Sequence, residues 1–372
     1  MEFVLLIVFI VVWGIQLSYY LVVFSKLSFY KFPLVDQKVE RAVSIIIAAR
    51  NEEMQLKKLI PVLLNQQYTD FEIVVVDDRS DDHTYDYLFE MAKQTKRLKV
   101  VRVDTTPDKV SSKKYALTLG IKAASNAYLL LTDADSIPAS PYWIKHMQEG
   151  FSTSDKEIVL GYSPYYREKG FLNLCIRFDT FFTAFQYLSF AMKKWTYMGV
   201  GRNLAYTKHL FMKYKGFHRH LTIISGDDDL FINQAATSHN VEIVIHPDSL
   251  VYSIPKQSWK EWWQQKKRHL SVGKYYKWTD QLLIILFTSS SLLFHVLFFI
   301  LILSLDLGKW MVVAVSLYVI RMSIVTVFQY LASQKLKEKI SPFLLPLLGF
   351  LHTWYYAGMG VIAAFSKKVK WK

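Results

Sequence analysis

Four long runs with little or no charge constrain this 372-residue chain more than any other feature. Residues 3–24 carry no charge and neither do residues 281–305. Residues 310–331 are broken only by Arg321, and residues 341–366 are again uncharged. Each run has the roughly 20 apolar residues that a helix needs to cross the hydrocarbon of a bilayer. With 52% hydrophobic residues and a positive mean hydropathy, the chain is too apolar for an ordinary soluble enzyme, and these runs explain the excess. The first run is longer than the apolar part of a signal peptide, is preceded by Glu2 without Lys or Arg, and is not closed by a small-x-small cleavage site. It therefore reads as a retained anchor.

The expected organisation is an anchor over residues 1–25, a soluble domain over 26–280, and a membrane region over 281–372. Net charge of +14 comes without a recognition-helix or aromatic RNA-binding pattern, so no nucleic acid is expected. Instead the basic residues Lys26, Lys31, Lys256, Lys260, Lys266, Lys267, Arg268, Lys274 and Lys277 crowd the membrane ends of the domain. The positive-inside rule then puts the domain in the cytoplasm, on the plasma membrane of a bacterium. Pro342 and Pro346 mark the last run as broken, re-entrant or surface-lying, which would return Lys367, Lys368, Lys370 and Lys372 to the cytoplasm. A full fourth crossing would place those lysines outside, against the charge rule. The lone cysteine, Cys175, rules out an internal disulfide and disfavours a thiolate metal site.

Between the runs, strand and helix patterns alternate. Strands are expected at 43–48, 71–76, 99–103 and 127–131, with helices at 55–64, 82–96 and 111–124. The strands are near-continuous in Val, Ile and Leu, so both faces are buried, and the series predicts an α/β domain with a doubly wound, mostly parallel sheet. Ligands of such sheets bind beyond the carboxyl ends of the strands. Four polar clusters meet on that rim: Arg50-Asn51-Glu52-Glu53, Asp77-Asp78-Arg79-Ser80, residues 105–109, and Asp133-Ala134-Asp135.

Two carboxylates two residues apart at the end of a buried strand repel one another. Asp133 and Asp135 are tolerable together where a divalent cation, or a cation and a sugar hydroxyl, takes up the charge. Asp77 and Asp78 are placed to accept hydrogen bonds from a base or a ribose, or else Asp77 caps a helix with Ser80. Lys114 either meets a phosphate or lies on a solvated helix face. No Gly-x-x-x-x-Gly-Lys-Ser/Thr loop or Gly-x-Gly-x-x-Gly fingerprint is present, which argues against a P-loop enzyme and a dinucleotide oxidoreductase. Asp227, Asp228 and Asp229 stand in a row, raising one another's pKa as a proton acceptor near neutral pH requires; the plain alternative is a solvated acidic turn. Over 259–273, helical spacing puts Trp259, Trp262 and Trp263 on an apolar ridge, read as a bilayer-facing belt, with Gln265, Arg268 and His269 on another face. The aromatic stretch 171–195 either faces the membrane or is buried in the domain.

Taken in order, Ala49-Arg50-Asn51-Glu52, Val76-Asp77-Asp78-Arg79-Ser80, Lys114-Tyr115-Ala116-Leu117, Asp133-Ala134-Asp135, Asp227-Asp228 and Gln265-Lys266-Lys267-Arg268-His269 resemble the motifs of family 2 glycosyltransferases of GT-A fold, across residues 42–273. The resemblance implies that Asp78 contacts the nucleotide base, Asp133 the ribose, and Asp135 an Mg²⁺ or Mn²⁺ ion. It also implies that Arg50, Asn51, Glu52, Asp77 and Lys114 belong to the donor side. Asp228 corresponds to the catalytic base, with Asp227 beside it in the position of the family's Glu, and Asp229 remains a one-residue alternative. Gln265-x-x-Arg268 resembles the Gln-x-x-Arg-Trp motif of membrane polysaccharide synthases, but His269 stands where the stacking Trp would be.

The implied reaction is inverting transfer of a sugar from a nucleotide-diphosphate donor, a UDP-sugar by preference. The acceptor is then a lipid, a lipid-linked saccharide or a membrane glycan. Single transfer leads over processive synthesis because the membrane set is small and the Trp is missing. A transporter is a poor alternative, since Arg321 and His295 within the runs make a poor transport path. A non-catalytic nucleotide-binding scaffold has no need of Asp135 and Asp228 together.

Overall fold

The computed structural model describes residues 2–32, 40–304 and 309–365, apart from the side chains of 2, 361 and 363–365. The four tail lysines lie outside the described residues, and so does the expectation that they return to the cytoplasm.

Among the described residues there are nine strands: β1 (Val43–Ala49), β2 (Phe71–Asp78), β3 (Leu98–Val103), β4 (Tyr128–Leu131), β5 (Ser136–Pro138), β6 (Ile158–Leu160), β7 (Leu204–Thr207), β8 (Val241–Ile243) and β9 (Val251–Ser253). Seven form one sheet in the order β3-β2-β1-β4-β7-β6-β8, while β5 and β9 pair separately. The half from β3 to β4 is parallel throughout. β7 runs antiparallel to β4 and β6, and β8 is parallel to β6. The sheet is therefore mostly parallel, as expected. Strands β5 to β9 were not anticipated, because runs of three or four residues carry no readable period.

Alternation along each parallel strand separates two cores. Ile45, Ile47, Ile73 and Val75 bury against Leu56, Leu59, Ile60 and Leu63 of the helix Glu53–Leu64. Ile46, Val74, Leu129 and Leu131 face the other way, against Leu117 and Ile121 of the helix Ser112–Ala123. That second core continues without a break through Phe181 and Phe185 to Phe287 and Phe328, so the sheet is joined to the apolar helices by one hydrophobic cluster.

Among the described residues, three helices are long and apolar enough to cross a membrane: Phe3–Ser28, Trp278–Ser304 and Lys309–Lys335. One is N-terminal and two are C-terminal. The expected third C-terminal element is a helix, Leu345–Phe365, but it is not one of the candidate spans among the described residues. Arg321, the charge that interrupts the third run, is buried and donates to Gln16 Oε1 (2.8 Å) and Ser291 Oγ (3.2 Å) of the neighbouring spans. A buried cation with two oxygen partners is tolerable where a bare one is not.

The stretch read as either membrane-facing or buried is the helix Phe171–Met192, which buries 14 of its 22 residues. Phe185 stacks on Phe24 at 4.6 Å and Phe182 lies 6.3 Å from Phe287, both on candidate membrane spans. Two buried ion pairs fasten it further. Arg177 meets Glu338, which also accepts from Tyr162 at 3.1 Å, while Asp179 meets Lys266 and His352. This helix is the strut between sheet and membrane elements.

Candidate active site

A cleft of about 1120 Å³ opens beyond the carboxyl ends of β1, β2 and β4. Three tight turns build its rim. After β1, Asn51 adopts a left-handed conformation at φ 57°, and after β2 so does Arg79 at φ 55°. The two turns brace each other: Asn51 N donates to Ser80 Oγ (2.9 Å), Asp81 N to Asn51 Oδ1 (2.7 Å), and Glu52 N to Thr84 Oγ1 (2.9 Å). Asn51 thus spends its side chain on the loop. The third turn, after β4, sets Asp133 and Asp135 on one wall before β5 begins. Ser136 Oγ donates to Asp135 Oδ1 at 3.2 Å.

The cleft gathers Arg50, Asn51, Glu52, Asp78, Asp133, Asp135, Asp227, Asp228, Gln265, Arg268 and His269 from five distant stretches of chain. Two expected residues are not among them. Asp77 is buried and hydrogen-bonded by Ser80 within the turn after β2; it does not cap a helix, since the helix that follows, Thr84–Gln94, begins after His83. Lys114 is also buried, and its Nζ donates to the carbonyls of His220 (2.7 Å), Ile223 (3.0 Å) and Ser225 (2.9 Å). It therefore lines neither the cleft nor a solvated helix face. Instead it pins the loop that leads into Asp227. The residue in the cleft is its neighbour Lys113, whose Nζ lies 3.0 Å from Asp133 Oδ1 and 3.1 Å from Asp227 Oδ2. Helical spacing does not separate the two, since Lys113 lies one turn before the buried Ala116 and Leu117 just as Lys114 lies on the side of Leu117 and Ile121; the carbonyls of His220, Ile223 and Ser225 decide it.

Charge in the cleft is unevenly compensated. Burial works against the Lys113 ammonium, but Asp133, Asp227 and Asp228 outweigh it and hold its pKa above the ordinary lysine value. Asp227 is buried too, yet Lys113 keeps its carboxyl below the usual range. Burial and then Asp227 push Asp228 upward. Asp228 caps the helix Asp229–Ala235, accepting from Asp229 N (2.8 Å) and from Gly201 N (2.7 Å). Asp229 accepts from Tyr276 Oη at 2.8 Å, and burial followed by Asp228 raises it to about 8. Opposite, burial and then Asp133 raise Asp135, while burial, Asp135 and Asp133 lift Glu52 to about 7. Crowded oxygen donors of this kind suit a hard divalent cation. Two such carboxylates with the phosphates of a substrate are the ordinary way Mg²⁺ is held. Asp133 and Asp135, with Glu52 beside them, therefore fit the expected Mg²⁺ or Mn²⁺.

The opposite wall comes from the helix Trp259–Leu270. Gln265 Nε2 donates to Tyr165 Oη at 3.3 Å, and the Arg202 guanidinium covers the Tyr165 ring at 4.4 Å. Burial lowers the Arg268 pKa against the fields of Asp227 and Asp133. The tryptophan ridge is corrected in one place: Trp262 is buried and stacks on Tyr355 at 5.1 Å and 11°, while Trp259 and Trp263 are exposed. Arg202, Tyr165 and Tyr276 belong to the cleft without any sequence motif that marks them. Beyond Arg268 the cleft passes between the helices Phe171–Met192, Trp278–Ser304 and Leu345–Phe365, lined by Thr183, Tyr187, Ile284, Thr288, Leu292 and Tyr356.

The Glycosyl transferase family 2 profile matches residues 44–214. The chain is 24% identical over 240 residues to a probable glycosyltransferase of Bacillus subtilis, covering 63% of this chain and 55% of that protein. It is 35% identical over 100 residues to a beta-monoglucosyldiacylglycerol synthase of Trichormus variabilis, covering 26% of this chain and 21% of that one. The match thus spans about half the length of one relative and a fifth of the other. A mannosyltransferase of Pyrobaculum calidifontis, solved with GDP-Man and Mn²⁺, superposes with a TM-score of 0.59 at 15% identity over 92% of this chain and all of that one. That likeness is one of fold and identifies the sheet and its helices as a GT-A arrangement.

Proposed function

We propose that this chain, which belongs to glycosyl transferase family 2 through residues 44–214, moves a sugar from a nucleotide-diphosphate donor to a hydroxyl carried by a membrane lipid or lipid-linked glycan. The observation that carries the acceptor assignment is the course of the cleft. One end holds Asp133, Asp135 and Asp228, and the other lies between the helices Phe171–Met192, Trp278–Ser304 and Leu345–Phe365. A lipid hydroxyl fits such a passage, with its chain in the bilayer and its head at the carboxylates. The relative named as a glucosyldiacylglycerol synthase supports the same acceptor class.

On this reading Asp78 receives the base, with its Oδ1 oriented by Arg79 Nε at 2.9 Å, and Asp133 receives the ribose. A UDP-sugar is the favoured donor. A bound Mg²⁺ or Mn²⁺ on Asp135 supplies positive charge at the leaving diphosphate. Arg268 faces the same region from the membrane side. Asp228 takes the acceptor proton as the acceptor oxygen bonds to the anomeric carbon. The carbon–oxygen bond to the diphosphate breaks in line, and the nucleoside diphosphate leaves with the electron pair, inverting the centre. Two backbone N–H donors hold the Asp228 carboxylate in place without consuming all its lone pairs. The domain lies over residues 26–280 on the cytoplasmic side, where activated nucleotides occur.

Membranes containing the chain are to be incubated with a panel of radiolabelled nucleotide sugars and Mn²⁺, then extracted with organic solvent. Label in the lipid fraction from one donor supports the assignment. Label confined to water-insoluble polymer favours the processive alternative, and neither transfer nor donor hydrolysis in any arm overturns the reading.

A further inference from the structure

Away from the cleft, two histidines and an aspartate from separate segments converge. His146 lies on the helix Trp143–Glu149, while His246 and Asp248 flank the start of the turn Pro247–Ser249. Their ligand atoms all lie within 4.8 Å of one another, and theirs is the one such group of three among the described residues. None of the three lines the cleft. We propose that His146, His246 and Asp248 form a second metal site, selective for a borderline ion such as Zn²⁺ and separate from the nucleotide-binding centre.

The distances favour an ion over direct contacts. His146 Nε2 stands 3.9 Å and His246 Nδ1 3.7 Å from Asp248 Oδ2. Both are too long for hydrogen bonds. Two ligand atoms bound tetrahedrally at ~2.0–2.2 Å lie roughly 3.3–3.6 Å apart, so small side-chain adjustments bring this set onto one ion. A second carboxylate orients the first ring: Glu149 Oε2 lies 3.0 Å from His146 Nδ1, which leaves Nε2 turned toward Asp248. That is the outer-shell arrangement typical of metal-bound imidazole. The two imidazoles stack at 4.0 Å and 28°. Two nitrogens and one oxygen suit zinc better than magnesium, with a fourth position left for water. One competing bond must yield, since Asp248 N donates to His246 Nδ1 at 3.2 Å.

The location gives the site a structural use. The helix of His146 follows β5, and the turn of Asp248 precedes β9, its partner strand. Ser136 Oγ of β5 lies 2.7 Å from Ser253 Oγ of β9 and also holds Asp135. An ion across His146, His246 and Asp248 closes the same two segments a second time, behind the wall that carries Asp135.

The test uses untagged full-length protein in detergent, in an Asp135→Ala background that weakens the nucleotide-site metal, titrated calorimetrically with ZnCl₂. The expected result is a saturable site of about one Zn²⁺ per chain with micromolar affinity, not competed by MgCl₂, and a rise in melting temperature. His146→Ala and His246→Ala each abolish the uptake, and Asp248→Asn and Glu149→Gln weaken it, the latter about 10-fold. No saturable uptake in the parent overturns the proposal, as does uptake unchanged by Asp248→Asn, Glu149→Gln and the double histidine variant. Melting curves without zinc identify any variant that is misfolded, and the milder Asp248 and Glu149 changes then decide.

Discussion

Lys113 and Lys114 are adjacent, share a charge, and have opposite fates. Lys114→Met leaves three backbone carbonyls unpaired in a buried position and is expected to destabilise the fold by about 1–3 kcal/mol, read as a lowered melting temperature. Lys113→Ala keeps the fold but leaves Asp133 and Asp227 facing each other uncompensated. Transfer should fall, with some loss of melting temperature because buried Asp227 loses its cation, and a variant as active as wild type would remove Lys113 from the site. Among the three aspartates, Asp228→Asn should preserve donor binding and lose transfer by at least about 10²-fold, the scale of general base catalysis. Asp229 stands in a different state. With its pKa near 8 it holds a proton at neutral pH, bonded to Tyr276. Because its folded pKa lies above the ordinary aspartate value of about 4, the stability it contributes is present in acid and is lost as pH rises to about 8. Asp229→Asn should therefore melt progressively higher than wild type across that interval. If Asp229→Asn abolishes transfer and Asp228→Asn is mild, the base is Asp229.

At the scale of elements, the turn that carries Asp227 and Asp228 depends on one glycine, and the strut on buried ion pairs such as Arg177–Glu338. Gly226 sits at φ 86°, and a Cβ there would stand 2.6 Å from Leu230 Cδ1. Gly226→Ala is thus strained in backbone and in space, and it should displace Asp227 and Asp228. Activity should fall more steeply than stability, by comparison of turnover with melting temperature. Arg177→Ala leaves Glu338 buried without its cation, a loss of about 3–5 kcal/mol. Restoration of melting temperature by a further Glu338→Gln change would confirm the cause. The parallel strands were legible because burial on both faces writes an unbroken apolar run. β5 to β9 were not, since their short pairings depend on partners more than 40 residues away.

For the whole molecule, orientation is the open physical question that an experiment closes directly. A cysteine at Asp155, an exposed loop position, in a Cys175→Ser background should resist an impermeant thiol reagent in intact cells and react once membranes are opened. Labelling in intact cells would put the catalytic domain outside and contradict the charge-rule reading. Equally, Asp135→Ala should lose most activity together with its response to Mn²⁺. Full turnover in that variant, or in wild type with excess chelator, removes the metal from the mechanism.

Local physics was enough for much of this protein. Apolar runs of bilayer length, strands buried on both faces, and carboxylates placed at strand ends are properties of contiguous residues, and they can be read without a fold. Convergence is not local. The sheet order brings Asp133 and Asp227 onto one lysine, sets Asp135 beside Glu52, and turns Trp262 inward onto Tyr355. Whether Lys113 or Lys114 faced the cleft, and whether Asp77 bound a ligand or capped a turn, depended on which face each helix and loop buries. That choice is made by the packing of distant segments, where the cost of burying an unpaired polar group is decided.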